Sequence, residues 1–171
     1  MQKASIPNLN GQGVTLAAHI HLPADFDPGL RCPAIVVSHP GGGVKEQTAG
    51  LYAARLAGHG FVAVAYDASC QGESTGMPRQ LENPHVRTED VSAVVDYLTV
   101  LPYVDAGRIG AMGICAGAGY TVNAAINDRR IRAVGTVSAV NIGQMFRNGW
   151  DGGVKDADAV GLIGMGSRAR S

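Results

Sequence analysis

The chain has 171 residues, 46% of them hydrophobic and 16% charged, with 14 Lys and Arg against 14 Asp and Glu. That length suits one domain with a real core, and the composition excludes a disordered polyelectrolyte. Zero net charge without a basic cluster argues against nucleic acid as the main partner. The 24 glycines follow no collagen period and suit tight strand-to-helix turns. Cys32, Cys70 and Cys115 form neither an even set nor a C-x-x-C pair, so neither a disulfide framework nor a structural zinc site is expected. The first ten residues lack an apolar run of signal-peptide length, and no run approaches the ~18 residues of a membrane span. A reduced, soluble, cytoplasmic protein with no membrane partner is the expectation.

Val14 to Leu22 reads as a strand ended by Pro23 and the polar turn Asp25 to Gly29. Ala34 to Ser38 is a short β-branched run without polar alternation, as in a strand covered on both faces. A helix over about Gln47 to His59, carried by Leu51, Ala54, Leu56 and Ala57, ends at Gly60. Phe61 to Tyr66 is the next buried strand. A second helix starts near Thr88, buries Val91, Val94, Val95, Leu98 and Leu101, and stops at Pro102. Arg108 to Met112 is a strand, Ala116 to Asn127 a helix and Arg132 to Val137 a strand, whereas no helix or strand period is visible after Asn141. Strands alternating with helices predict an α/β domain, a mainly parallel sheet with helices on both faces. In such sheets ligands bind beyond the carboxyl ends of the strands.

Two glycine-rich segments fall at such ends. In Gly113-Ile114-Cys115-Ala116-Gly117 the cysteine sits on a sharp strand-to-helix turn, where its neighbours two positions away must be small. The helix N-terminus that follows favours thiolate, and the Ala116 amide faces an oxyanion formed in acyl transfer. A small buried cysteine with no chemistry is the plain alternative. In Ser38-His39-Pro40-Gly41-Gly42-Gly43, the glycines free backbone amides for the other half of an oxyanion hole, or simply make a flexible loop. Lys45 lacks the flanking residues of a phosphate-binding P-loop.

Gly113, Gly117 and Gly119 also fit the dinucleotide loop of short-chain dehydrogenases. That loop, however, normally follows the first strand, and no tyrosine here has a lysine four residues on. His19 and His21 share a strand face and read as exposed, His59 as a helix-end residue and His85 as a solvated loop residue. Cys70 reads as a spectator thiol near the pocket, and Trp150 as either an apolar anchor or a pocket wall.

Together, His39 to Thr48, Tyr66 to Ser74 and Gly113 to Gly117 resemble the α/β-hydrolase superfamily, notably its dienelactone-hydrolase-like branch with the polyketide transferases. The resemblance covers residues 10–145, the recognisable core of a single domain whose residues 146–171 form an irregular tail. It implies Cys115 as nucleophile, Gly41, Gly42 and Ala116 as oxyanion donors, and chemistry on an ester, lactone or thioester of a small acyl substrate. No cofactor or metal is needed for that chemistry. It also implies an acid and then a histidine after Cys115. Asp151, Asp156 and Asp158 follow, but no histidine occurs after His85. The expectation is therefore an N-terminal part of a longer hydrolase, with impaired activity and the last strands of its sheet missing. Self-association through the unpaired sheet edge follows from that. A non-catalytic binding module with the same pocket and a nicotinamide-dependent enzyme stand as alternatives.

Overall fold

The computed structural model describes residues 1–9 and 13–168. Its chain divides into two compact units, residues 1–139 and 140–171.

In the first unit, the strands are β1 (Gln2–Pro7), β2 (Thr15–His21), β3 (Cys32–Ser38), β4 (Val62–Tyr66), β5 (Val104–Ile114) and β6 (Ile131–Val137). The helices are α1 (Thr48–Ala57), α2 (Pro84–Val100) and α3 (Ala116–Asn127). Among the described residues the sheet order is β1-β2-β4-β3-β5-β6. β1 and β2 pair antiparallel, as do β2 and β4, while β4, β3, β5 and β6 run parallel. The sheet is mixed at one end and parallel where the glycine turns emerge.

Helices cover both faces. On one, Val91, Val94, Val95 and Leu98 of α2 and Ala124 of α3 pack with Ile6, Leu16, Ile20, Val36, Val64 and Ile109. On the other, Ala49 and Ala53 of α1 meet Val37, Ala63, Ala65 and Ile114. The expected α1 face is corrected here. Its buried stripe is Ala49, Ala53 and Ala57, with Leu51 exposed, because a stripe of small residues lets the helix lie close on the sheet.

α2 begins four residues before the expected start. Asn83 accepts from the amides of His85 and Val86, and Pro84 takes the first helical position, where a missing N–H costs nothing. β1 was not expected at all. Ile6 is its one buried side chain, and its ladder to β2 supplies what its own pattern lacks. β6 is an edge strand, exposed from Arg132 to Thr136.

In the second unit, where an irregular segment was expected, lie α4 (Ile142–Asn148) and α5 (Asp156–Arg168). Asn141 caps α4 by accepting from the Gln144 amide, and the Asn148 side chain donates to the Val154 carbonyl and to Asp156. The last three residues of the expected tail lie outside the described residues. Among the described residues no helix is long and apolar enough to cross a membrane.

Candidate active site

β5 ends at Ile114, and α3 starts at Ala116, leaving Cys115 alone on the bend at φ 55° and ψ −118°. A non-glycine residue there costs ~1–3 kcal/mol and persists only where its surroundings enforce it. They do. The Cys115 amide donates to the Val137 carbonyl at 2.9 Å, and its carbonyl accepts from the Ala118 amide at 3.1 Å. A Cβ on Gly113 would lie 2.3 Å from the Gly117 carbonyl oxygen. One on Gly117 would lie 2.5 Å and 2.6 Å from the carbonyl oxygens of His39 and Ser38. Both flanking glycines are therefore required by backbone contact. Cys115 itself is half-buried, so its thiol is not sealed in the core.

The second glycine segment comes to the same place. Gly41 approaches Ala116 so closely that a Cβ on it would lie 3.5 Å from the Ala116 Cβ. The Gly43 amide donates to the Pro40 carbonyl at 3.0 Å, closing a turn in which Gly42 takes φ +66°. Gly41 and Gly42 are exposed. The amide of Ala116, first in its helix, belongs to the set that an α-helix leaves without an internal partner. Beneath the bend, Ser38 Oγ lies 2.9 Å from the Tyr66 hydroxyl and accepts from Thr121 at 3.2 Å, tying the end of β3 to α3. Cys115 and Ala116 are thus brought together with Gly41 from two separate stretches of sequence.

His39 is fully buried beside them, yet both its ring nitrogens are engaged. Nδ1 donates to the Pro40 carbonyl at 2.7 Å, and Nε2 accepts from the Ala68 amide at 3.1 Å. That pairing fixes the neutral tautomer. Burial, with the Arg87 charge second, pushes the pKa of His39 down from 6.5 to about 4. It holds the loop and has no free nitrogen for a thiol proton.

A pH effect follows. The unfolded chain binds a proton near pH 6.5 that folded His39 refuses until about pH 4, so its share of stability is intact above 6.5 and is lost as pH falls through that window. The shift corresponds to about 3 kcal/mol. Buried Asp90, whose pKa burial raises, works in the opposite sense. In urea unfolding, wild type should therefore lose about 3 kcal/mol of stability relative to His39→Gln from pH 7 to pH 4. A pH-independent difference would contradict the buried neutral imidazole.

The other histidines stand elsewhere. His19, expected to be exposed, is buried, and its Nε2 lies 3.9 Å from Glu46. It is covered because it sits opposite Ala65, on the sheet face where α1 and the Glu46 segment before it pack. His21 is half-buried, and His59 and His85 are exposed, the latter in the first turn of α2 rather than in a loop. Cys70 is buried at φ 69°, and burial pushes its thiol pKa up. Trp150 is 80% exposed, and Asp151 accepts from the Gly153 amide within the second unit.

Sequence reasoning missed a set of buried charges around the loop. Lys45 donates to Asp67, Glu46 and Glu73, and Asp67 also accepts from the amides of Lys45 and Glu73. Arg87 donates to the His39 carbonyl and to Glu82. The signal was charge inside apolar stretches, which becomes informative only once burial is known.

The model of the X-Pro dipeptidyl-peptidases (S15 family) matches residues 12–162. The chain belongs to this family. The fold is that of the α/β-hydrolases, as the three motifs implied. This S15 chain is 65% identical over 169 residues to the uncharacterized protein YcjY of Escherichia coli strain K12, covering 99% of itself and 55% of YcjY. The crystal structure of hypothetical protein PA2218 from Pseudomonas aeruginosa superposes with a TM-score of 0.91 at 39% identity, over 99% of this chain and 52% of that one. Polyketide transferase claH of Penicillium crustosum is 33% identical over 128 residues, 75% of this chain and 41% of claH. The chain spans about half the length of the relatives it matches.

Proposed function

We propose that this chain carries an acyl-transfer centre of the α/β-hydrolase fold, with Cys115 as nucleophile toward an ester, lactone or thioester. The Cys115 sulfur adds to the carbonyl carbon, and the amides of Ala116 and the Gly41–Gly42 turn receive the oxyanion. The leaving group departs with its electron pair, and water or another acceptor releases the acyl group. What supports this reading above all is the bend itself. A cysteine is held at positive φ between two glycines that backbone contacts make obligatory, next to an exposed glycine turn. Positive φ alone does not decide it, since buried Cys70 takes φ 69° as well; the obligatory glycines on both sides and the adjoining exposed turn set Cys115 apart. The likeness to a polyketide transferase supports transfer to an acceptor other than water as one outcome.

With His39 committed to the loop and no histidine after His85 in the sequence, no imidazole pairs with the thiol among the described residues. Acylation is therefore expected to be slow and close to stoichiometric, because loss of a triad member typically costs several orders of magnitude in turnover. Incubation with a p-nitrophenyl acyl ester should add one acyl mass to the intact protein, and Cys115→Ala should remove that adduct. An adduct that survives Cys115→Ala, or none on wild type, overturns the proposal. The second outcome favours a binding module that keeps the pocket without the chemistry.

A further inference from the structure

Arg87 lies in α2, far in sequence from both glycine turns, yet its side chain is 1% exposed. One terminal nitrogen donates to the His39 carbonyl at 2.8 Å. The other donates to Glu82 at 2.9 Å. Glu82 also accepts from the Tyr120 hydroxyl at 2.8 Å and from Gln71 at 2.9 Å. The Arg87 guanidinium stacks over the Tyr120 ring, 4.9 Å from its centre. Tyr120 stands on α3, the helix that Cys115 opens. His39 begins the turn that carries Gly41 and Gly42, and its carbonyl is one of the two oxygens against which Gly117 packs. One buried cation therefore grips both halves of the proposed oxyanion hole, the loop through the His39 carbonyl and the elbow helix through Tyr120.

We propose that Arg87, oriented by Glu82, is the positioning residue of the acyl-transfer site, setting the Gly41–Gly42 turn against the Cys115–Ala116 bend. This rests on the reading of Cys115 as nucleophile. Burying a guanidinium is costly unless its donors are paired; both terminal nitrogens of Arg87 are, while Nε finds no acceptor, and the planar fork reaches its two acceptors at a fixed angle. A lysine keeps a charge, but its ammonium is a compact point on a flexible stem, without the planar fork that fixes the angle between two acceptors or lies flat on the ring. Oxyanion donors misplaced by an ångström cost about a hundredfold in rate.

The test compares two reactions of the same sulfur in wild type, Arg87→Lys and Glu82→Gln, each followed on the Cys115-containing peptide by mass spectrometry. With a p-nitrophenyl ester, the S–C bond forms at the carbonyl, the C–O bond breaks, nitrophenolate leaves with the electron pair, and the thiol proton passes to solvent. With iodoacetamide, an S–CH2 bond forms and iodide leaves, with no oxyanion on the path. The ratio of acylation to alkylation rate is expected to fall about 10- to 100-fold in Arg87→Lys, and less in Glu82→Gln. A purely structural role would slow both reactions together or neither. Should Arg87→Lys fail to fold, Glu82→Gln, which keeps the shape of its side chain, decides alone. A ratio within about twofold of wild type in the folded variants overturns the proposal. Wild type that alkylates at Cys115 but never acylates overturns the nucleophile reading beneath it.

Discussion

Gly117→Ala should leave the first unit unfolded or barely folded, and should abolish acylation of Cys115 in any molecule that remains folded. Helix propensity alone predicts the reverse, since alanine stabilises a helix interior by about 1 kcal/mol over glycine. The contacts decide the sign. An added methyl would sit 2.5 Å from the His39 carbonyl oxygen, 2.6 Å from that of Ser38 and 2.9 Å from the Ser38 carbonyl carbon. All three are backbone atoms, with Ser38 paired to Gly113 of β5 and the His39 carbonyl held by Arg87, so none can swing away. Relief requires α3 to lift off the strand end, and overpacking of this kind costs about 3 kcal/mol or more. That is a large fraction of the ~5–15 kcal/mol by which domains are stable. Gly41→Ala supplies the contrast. Its new methyl would meet only the Ala116 side chain at 3.5 Å, an ordinary contact. Urea denaturation of both variants checks the pair, and comparable losses would mean that the bend is not braced by Ser38 and His39.

The bend was legible in the sequence because its constraint is local: small residues two positions either side of Cys115, after a strand and before a helix. The inner strands were legible for a similar reason, since Val62 to Tyr66 is buried at every position and leaves no polar alternation to mislead. What was illegible depends on partners distant in the chain. β1 carries one buried side chain, and α1 buries alanines that carry little hydropathy signal. In α4 and α5, glycines at 143, 161, 164 and 166 break up the apolar period by which a helix is recognised. Arg87, Glu82, Lys45 and Asp67 have the composition of a solvated surface. Burial comes from the convergence of the loops after β3 and β4 with the start of α2, a tertiary event with no counterpart in local spacing. His39 shows the same limit from the other side. A histidine beside a candidate nucleophile invites a catalytic role, and only the hydrogen bonds at both nitrogens remove it.

Asp67→Asn is expected to destabilise the first unit by about 3 kcal/mol, the lower end of the range for breaking a buried ion pair. Asp67 is fully buried, with Oδ1 accepting from the Lys45 amide and Oδ2 from both the Lys45 ammonium and the Glu73 amide, each at 2.8 Å. An asparagine must turn an NH2 group toward at least one of these donors, leaving donor against donor in a dry site. The loss stays at the low end because Lys45 retains Glu46 at 2.7 Å and Glu73 at 2.8 Å. Burial alone would lower the Lys45 pKa, but hydrogen bonds to Asp67, Glu46 and Glu73 outweigh it and hold the ammonium firmly charged. Lys45→Met should be worse, since it strands the Asp67 carboxylate without a cation. Combining Lys45→Met with Asp67→Leu should not restore stability, unlike many buried pairs replaced by apolar residues. The carboxylate serves two backbone amides as well as the lysine, and leucine would orphan both. One of those amides belongs to Lys45, two residues past Gly43, so the same oxygen that balances the lysine also ties down the exit of the glycine turn. Thermal or urea melts of the two single variants and the double variant measure this directly. A double variant as stable as wild type would show that Asp67 acts only as a counter-ion and has no part in holding the loop.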